Sequence, residues 1–203
     1  MIEDIKRIVN AVSDVVQNRP RPIRLYDQIH MKTGDMVHQS EIVADWAANK
    51  RLAFIGDGDA ISVCVAYLVH LKLLEVGPNK ITVFDFDERI VNAVRRFADH
   101  HRIDHLLDAE LYNCLDPFPA PERFDAFYTN PPYGASNDGA SVNVFAQRGM
   151  EATGYAGEGL IVIADDDELP WPKIVLSETQ KFAANRGFHV SEMARQQHSY
   201  HLD

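Results

Sequence analysis

A doubly wound α/β fold with a mostly parallel sheet is predicted by three features of this sequence. Short apolar runs alternate with helix-spaced segments from residue 51 onward. The connections between them are short, which makes successive strands parallel and puts helices on both faces of the sheet. Each run is closed on its carboxyl side by glycine, acidic or Asn-Pro residues, at the edge where ligands bind in such sheets. A length of 203 residues suits one such domain.

Residues 1–18 read as a helix, because Ile2, Ile5, Ile8, Val9, Val12, Val15 and Val16 recur at helical spacing. Arg19-Pro20-Arg21-Pro22 ends it as a stiff linker. The expected organisation is an N-terminal helix and linker over 1–34 and an α/β domain over 35–203. A second helix fits 35–49, with Met36, Val37, Ile42, Val43, Trp46 and Ala47 apolar. Residues 51–55 form the first strand, closed by Gly56-Asp57-Gly58-Asp59. A helix over 60–74 and a Gly77-Pro78-Asn79 turn lead to the second strand, 80–86. A helix over 88–101 precedes the third strand, 109–114. The fourth, 124–129, closes on Asn130-Pro131-Pro132-Tyr133. A helix over 141–152, a fifth strand at 160–164, a helix over 173–185 and a sixth strand at 189–194 complete the chain. Right-handed crossovers leave few strand orders open.

Apolar residues are 46% and charged residues 25% of the chain, as in an ordinary globular protein and unlike a disordered or collagen-like one. No stretch approaches the ~18 uninterrupted apolar residues of a membrane span. Met1-Ile2-Glu3-Asp4 carries acids where a signal peptide carries bases, so a cytoplasmic location is expected. Cys64 and Cys114 form no disulfide framework or zinc quartet and read as buried thiols. A net charge of −10 argues against long nucleic acids, whose binding needs a basic face, and towards a small or cationic substrate. His101 and His105 are spaced for a shared metal, but no third ligand is evident, and no metal is expected. A homodimer is expected only as the common state of soluble enzymes.

The strand ends carry the chemistry. Gly56 and Gly58 let the backbone approach a ligand, although Ile61 breaks the dinucleotide pattern and a plain tight turn is the simpler reading. Asp85 suits a ribose diol, since a carboxylate accepts from two adjacent hydroxyls. Asp87 either joins it or caps the following helix. Asp116 fits an adenine amino group, or is only a loop acid before Pro117. Asn130-Pro131-Pro132-Tyr133 is the most specific signal. The prolines stiffen the chain, the Asn oxygen and a proline carbonyl accept from an amine, and the Tyr133 ring can stack or face a cation. The arrangement suits holding an amine nitrogen in line with an electrophile. Asp165-Asp166-Asp167-Glu168 reads as a solvated loop or as a binding site for the distal ammonium groups of a polycation.

Together these elements resemble the class I S-adenosylmethionine-dependent methyltransferase-like fold. Within it they resemble the branched-chain polyamine synthases, the N4-bis(aminopropyl)spermidine synthase family. Gly56-Asp57-Gly58-Asp59 is similar to that family's Gly-Asp-Asp-Asp turn, with Gly58 in place of the middle acid. Asp85-Phe86-Asp87-Glu88-Arg89 is similar to its Asp-Ile-Asp-Glu-Arg strand end, and Tyr26-Asp27-Gln28 to a Tyr-Asp-Gln upstream of the sheet. Asn130-Pro131-Pro132 stands where the family has Asp-Pro-Pro; followed by Tyr133 it is the motif of adenine-N6 methyltransferases. The resemblance runs from about Tyr26 to the C-terminus, and with few residues before Tyr26 the family's winged-helix domain is not expected in this sequence.

The resemblance implies a cytoplasmic transferase acting by in-line displacement at the carbon next to a sulfonium. Asp59 then lies near the reacting amine, with Tyr26 and Asp27 on the substrate side. An amine of pKa ~10 is mostly protonated at neutral pH, so a positioned base is needed, and Asp59 is the candidate. Methyltransferases commonly place an acid two residues before the first loop glycine; here that position is Phe54, and the acids Asp57 and Asp59 lie inside the loop. Such acids would repel the carboxylate of S-adenosylmethionine and attract the amine of its decarboxylated form. The expected activity is aminopropyl transfer from decarboxylated S-adenosylmethionine to a polyamine such as spermidine. The alternatives are N-methylation of adenine or another amine from S-adenosylmethionine, and a nucleoside-binding module without catalysis.

Overall fold

The computed structural model describes residues 2–26, 28–119, 123–132 and 139–200. Five strands, β1 Arg51–Ile55, β2 Lys80–Asp85, β3 Leu107–Leu111, β4 Ala126–Thr129 and β5 Glu158–Ile161, make one sheet. Its order is β3-β2-β1-β4-β5 and every pairing is parallel. The helices are α1 Ile2–Asn18, α2 Thr33–Trp46, α3 Ile61–His70, α4 Glu88–His101, α5 Ala140–Ala152 and α6 Trp171–Ala184.

Alternation along each strand divides the core, because successive side chains point to opposite faces. Leu52 and Phe54 of β1 join the α1–α4 side with Val12, Val43, Ile61 and Val94. Ala53 and Ile55 join the α5 side with Phe127, Phe145 and Met150. Ala11, Val12 and Val15 of α1 therefore share one core with the central strand. Among the described residues no helix is long and apolar enough to cross a membrane.

The proposed sixth strand at 189–194 is absent. Val190 is 51% and Met193 50% exposed, so neither alternating set of side chains has a face to bury, and no pairing forms there. The segment instead returns across the domain, and Tyr200 makes an antiparallel bridge with Met31. The third strand starts two residues earlier than expected, because Leu107 and Ala109 are the buried alternation while Asn113 leaves the sheet. The fourth and fifth strands are shorter or earlier than expected, and α3 stops at His70, ahead of Lys72 in a left-handed conformation.

Strand order reverses between β1 and β4, which makes the carboxyl ends of these two strands the switch point where such sheets open a crevice. Asp85 ties the neighbouring loops there. Its Oδ2 accepts from Asp57 N (3.0 Å) and its Oδ1 from Asp87 N (2.8 Å). Gly56 N donates to Phe84 O (2.8 Å), and Gly56 takes φ +75°, the left-handed region that favours glycine. Gly58 has no such need: its φ is ordinary and a Cβ there would meet nothing within 4 Å.

Three substitutions test this frame. A Cβ at Gly149 would lie 2.1 Å from Phe127 Cδ2. Gly149→Ala is expected to destabilise by about 2 kcal/mol through overpacking, despite the ~1 kcal/mol that Ala gains over Gly in a helix. Gly58→Ala should change the denaturation midpoint little. Asp85→Asn leaves one of the two backbone N–H groups without its acceptor, a loss of about 1–3 kcal/mol. Burial pushes the Asp85 carboxyl up to about 6, so the folded chain holds this proton more tightly than the unfolded one. That contribution is complete below about pH 4 and is lost as pH rises through the folded value. The advantage of wild type over Asp85→Asn, measured by urea denaturation, should therefore shrink from about pH 4 to about pH 7.

Candidate active site

Four carboxylates, Asp57, Asp59, Asp85 and Asp87, lie at the carboxyl edge of β1 and β2, each no more than 6% exposed. Their directions differ. Asp57 turns back on the following helix: its Oδ1 accepts from Ile61 N (2.9 Å), its Oδ2 from Ser62 N (3.2 Å) and Ser62 Oγ (2.5 Å). Three residues ahead of the N-cap Ala60, it takes the first two N–H groups of α3, donors that an anionic ligand would otherwise find. Burial pushes its pKa well up, against the pull of these bonds.

Asp59 points across the switch point. Its Oδ1 accepts from Met31 N (2.6 Å) and its Oδ2 from Asn130 Nδ2 (2.7 Å). The residues read from the first and fourth strand ends are thus joined directly. Burial raises the Asp59 pKa, opposed by Met31 N, by the Arg19 guanidinium and by Asn130. Arg19 Nη1 donates to Asp59 O (3.1 Å) and lies 3.4 Å from Met36 Sδ. An ionised carboxylate only accepts, so the Asn130 amide nitrogen faces Asp59 and the amide oxygen faces away. The second amide hydrogen goes to Tyr200 Oη (2.9 Å). Asn130 Oδ1 has no partner among the described residues.

Asp85, read as the ribose acid, spends both oxygens on backbone N–H groups. Asp87 does cap α4, accepting from Arg89 N (3.0 Å). It also holds Arg89 Nε (3.0 Å), Arg89 Nη2 (2.5 Å) and Gln28 Nε2 (3.1 Å). Burial alone would raise Asp87, but Arg89 and Gln28 hold it below the usual carboxylate range. Asp116 is exposed on the loop after β3, its backbone oxygen accepting from Tyr112 Oη (2.6 Å). Tyr26 meets Phe86 edge-on at 5.0 Å between ring centres, and both residues are exposed, by 40% and 42%. Pro132 O accepts from Ser141 Oγ (2.7 Å), which ties the Asn-Pro-Pro turn to α5, and Pro131 is buried. Asp27 and Tyr133 lie outside the described residues.

The acidic run at 165–168 is exposed and partly neutralised from within the chain. Arg195 holds Asp165 through Nε (3.0 Å) and Nη2 (2.7 Å) and reaches Asp167 (3.1 Å); Lys173 lies 3.5 Å from Asp167. Asp166 Oδ1 accepts from Glu168 N (2.8 Å). His101 packs against the rings of Phe97 and Tyr67 and lies 3.6 Å from Asp14. Among the described residues there is no cluster of three potential metal ligands.

Sequence reasoning missed Arg19, Gln28, Met31, Phe86, Arg89, Arg195 and Tyr200 as parts of this region. Gln28, Phe86 and Arg89 sit inside quoted motifs, a signal that could have found them. Nothing local marks the others: Arg19 reads as linker, and Met31 acts through its backbone N–H.

Comparison with known proteins agrees with this fold. The family model of the branched-chain polyamine synthase A C-terminal domain matches residues 7–202. An uncharacterised protein of Methanocaldococcus jannaschii is 28% identical over 194 residues, 94% of this chain and 45% of that protein. The N(4)-bis(aminopropyl)spermidine synthase of Thermococcus kodakarensis is 24% identical over 163 residues, 77% of this chain and 43% of that enzyme. The chain thus spans under half the length of these curated relatives. Among solved structures, the branched-chain polyamine synthase of Thermus thermophilus, in complex with N4-aminopropylspermidine and 5'-methylthioadenosine, superposes with a TM-score of 0.76. It is 19% identical, over 97% of this chain and 54% of that one. A putative RNA methyltransferase of Pyrococcus horikoshii gives 0.63 at 15% identity, over 92% and 85%. The fold is that of the class I methyltransferases, and the chain belongs to the branched-chain polyamine synthase C-terminal domain family.

Proposed function

We propose that this chain holds the catalytic centre of an enzyme that alkylates an amine nitrogen, moving an aminopropyl group from decarboxylated S-adenosylmethionine to a polyamine such as spermidine. The observation that carries this reading is the Asp59–Asn130 hydrogen bond across the β1/β4 switch point. It puts a buried carboxylate and an outward amide oxygen side by side. Asn130 Oδ1 and the adjoining Pro131 carbonyl receive the acceptor amine, one of them accepting the N–H that the amine keeps, and so aim its lone pair. Asp59, raised by burial, takes the proton that the amine must give up. The amine nitrogen then bonds to the carbon beside the sulfonium, the C–S bond breaks, and 5'-methylthioadenosine leaves. The proton resides on Asp59 Oδ1 or Oδ2 until it passes to solvent.

The donor preference follows from Asp57. The first two backbone N–H groups of α3 are taken by Asp57, so a donor carboxylate finds those donors occupied. A donor that ends in an amine alone loses nothing. The ribose is assigned to Asp87, screened by the Arg89 and Gln28 side chains, rather than to Asp85, which the backbone occupies. Asp116 reaches for the adenine amino group from the loop after β3, with Tyr26 and Phe86 as the apolar wall. Distal ammonium groups of the acceptor compete with Arg195 for Asp165 and Asp167, beside Asp166 and Glu168. The relatives named as N(4)-bis(aminopropyl)spermidine synthases support the substrate class.

Calorimetric titration of the two donors side by side tests this reading. The decarboxylated form should bind at least about tenfold tighter, roughly 1.4 kcal/mol. Tighter binding of intact S-adenosylmethionine would move the chain to the amine methyltransferases, where Asn130-Pro131-Pro132-Tyr133 also belongs. Asp59→Asn should lower aminopropyl transfer to spermidine by about 10²-fold or more while donor affinity stays within twofold. Nucleoside binding with no turnover in wild type would leave only a binding module.

A further inference from the structure

We propose that Tyr200 is a positioning residue for this centre, its hydroxyl locking the Asn130 amide so that Oδ1 faces the acceptor amine. The inference rests on the amine-alkylation reading above. An Asn side chain turns about a broad terminal torsion, so one hydrogen bond leaves the amide plane loosely set. Here both amide hydrogens are engaged, one by Asp59 Oδ2 (2.7 Å) and one by Tyr200 Oη (2.9 Å). Neither a flip nor a rotation is possible without breaking both bonds.

Tyr200 is itself held on several sides. Lys32 N donates to Ser199 O (3.0 Å), and Tyr200 bridges to Met31. Ser199 N and Oγ donate to Asp35 Oδ2 (2.8 and 2.6 Å). His198 bonds Gln39, and Arg195 holds Asp165. The ring packs on the main core. The circuit closes at Met31, whose N–H donates to Asp59 Oδ1 (2.6 Å). Met31, Asp59, Asn130 and Tyr200 thus form one ring of contacts, with base and amide set by the same support. Preorganised geometry of this kind raises the fraction of bound substrate that is aligned to react.

Tyr200→Phe removes the hydroxyl and keeps the ring. It is expected to lower kcat with spermidine about tenfold, the effect of one neutral hydrogen bond, with donor affinity within twofold and melting temperature little changed. In an Asn130→Ala background the same substitution should have no further effect, because its target is gone. The Asn130 side-chain amide, assigned by its loss in Asn130→Asp, should show both NMR proton resonances protected from exchange with solvent in wild type. In Tyr200→Phe the proton that faced the hydroxyl should lose this protection while the one on Asp59 keeps it. An unchanged kcat, an equal loss in both backgrounds, or fast-exchanging Asn130 resonances in wild type would overturn the proposal. The wild-type resonances decide the point even if Tyr200→Phe fails to fold. They also separate the two claims: a locked Asn130 amide in a protein that transfers no aminopropyl group would overturn the functional reading and leave the positioning contact standing.

Discussion

Burial of four carboxylates at one edge of a sheet is the constraint around which the rest of this structure is arranged. A buried charge is costly unless donors surround it. Each acid here meets that demand differently, and the difference assigns its work. Asp57 takes the start of α3, Asp85 takes the backbone of two loops, and Asp87 takes Arg89 and Gln28. Asp59 is met by Met31 N and, across the switch point, by Asn130. Asp57 and Asp85 hold the loops together, and Asp59 joins the ends of β1 and β4.

The same constraint tunes the site. Burial lifts Asp57, Asp59 and Asp85, whereas Arg89 and Gln28 hold Asp87 down. Neighbouring acids pushed apart in this way can take different tasks, one accepting a proton while another stays charged towards a ligand. Arg19 places a half-buried cation beside Asp59 and keeps its carboxylate accessible to ionisation. Its own guanidinium is lowered by burial, which the acids oppose.

The two departures from the family's motifs differ in kind. Where Gly58 stands in for an acid, the space around it is open and its backbone ordinary, so the exchange leaves the turn intact. Where Asn130 stands in for an acid, the change is chemical. An amide beside Asp59 donates to it, whereas a second carboxylate there would repel it. The pairing leaves one carboxylate and one neutral amide joined at this edge.

Local pattern determined much of this protein without help. Alternation of apolar runs and helix-spaced segments was enough for the parallel sheet. The residues closing β1, β2 and β4 were enough for the edge that carries the site, because each lies within a residue or two of a strand end. Asp87 as a possible cap was legible from its place before α4. What the tertiary structure alone decided is the direction of each side chain and every contact made across long sequence separation. Asp85 and Asp57 turned to backbone donors that no local pattern reveals. The segment at 189–194 lacked a face to bury and became a return path, not a strand. Met31 and Tyr200 reached Asp59 and Asn130 because chain packing, which depends on the whole core at once, brings together groups that sequence spacing keeps apart.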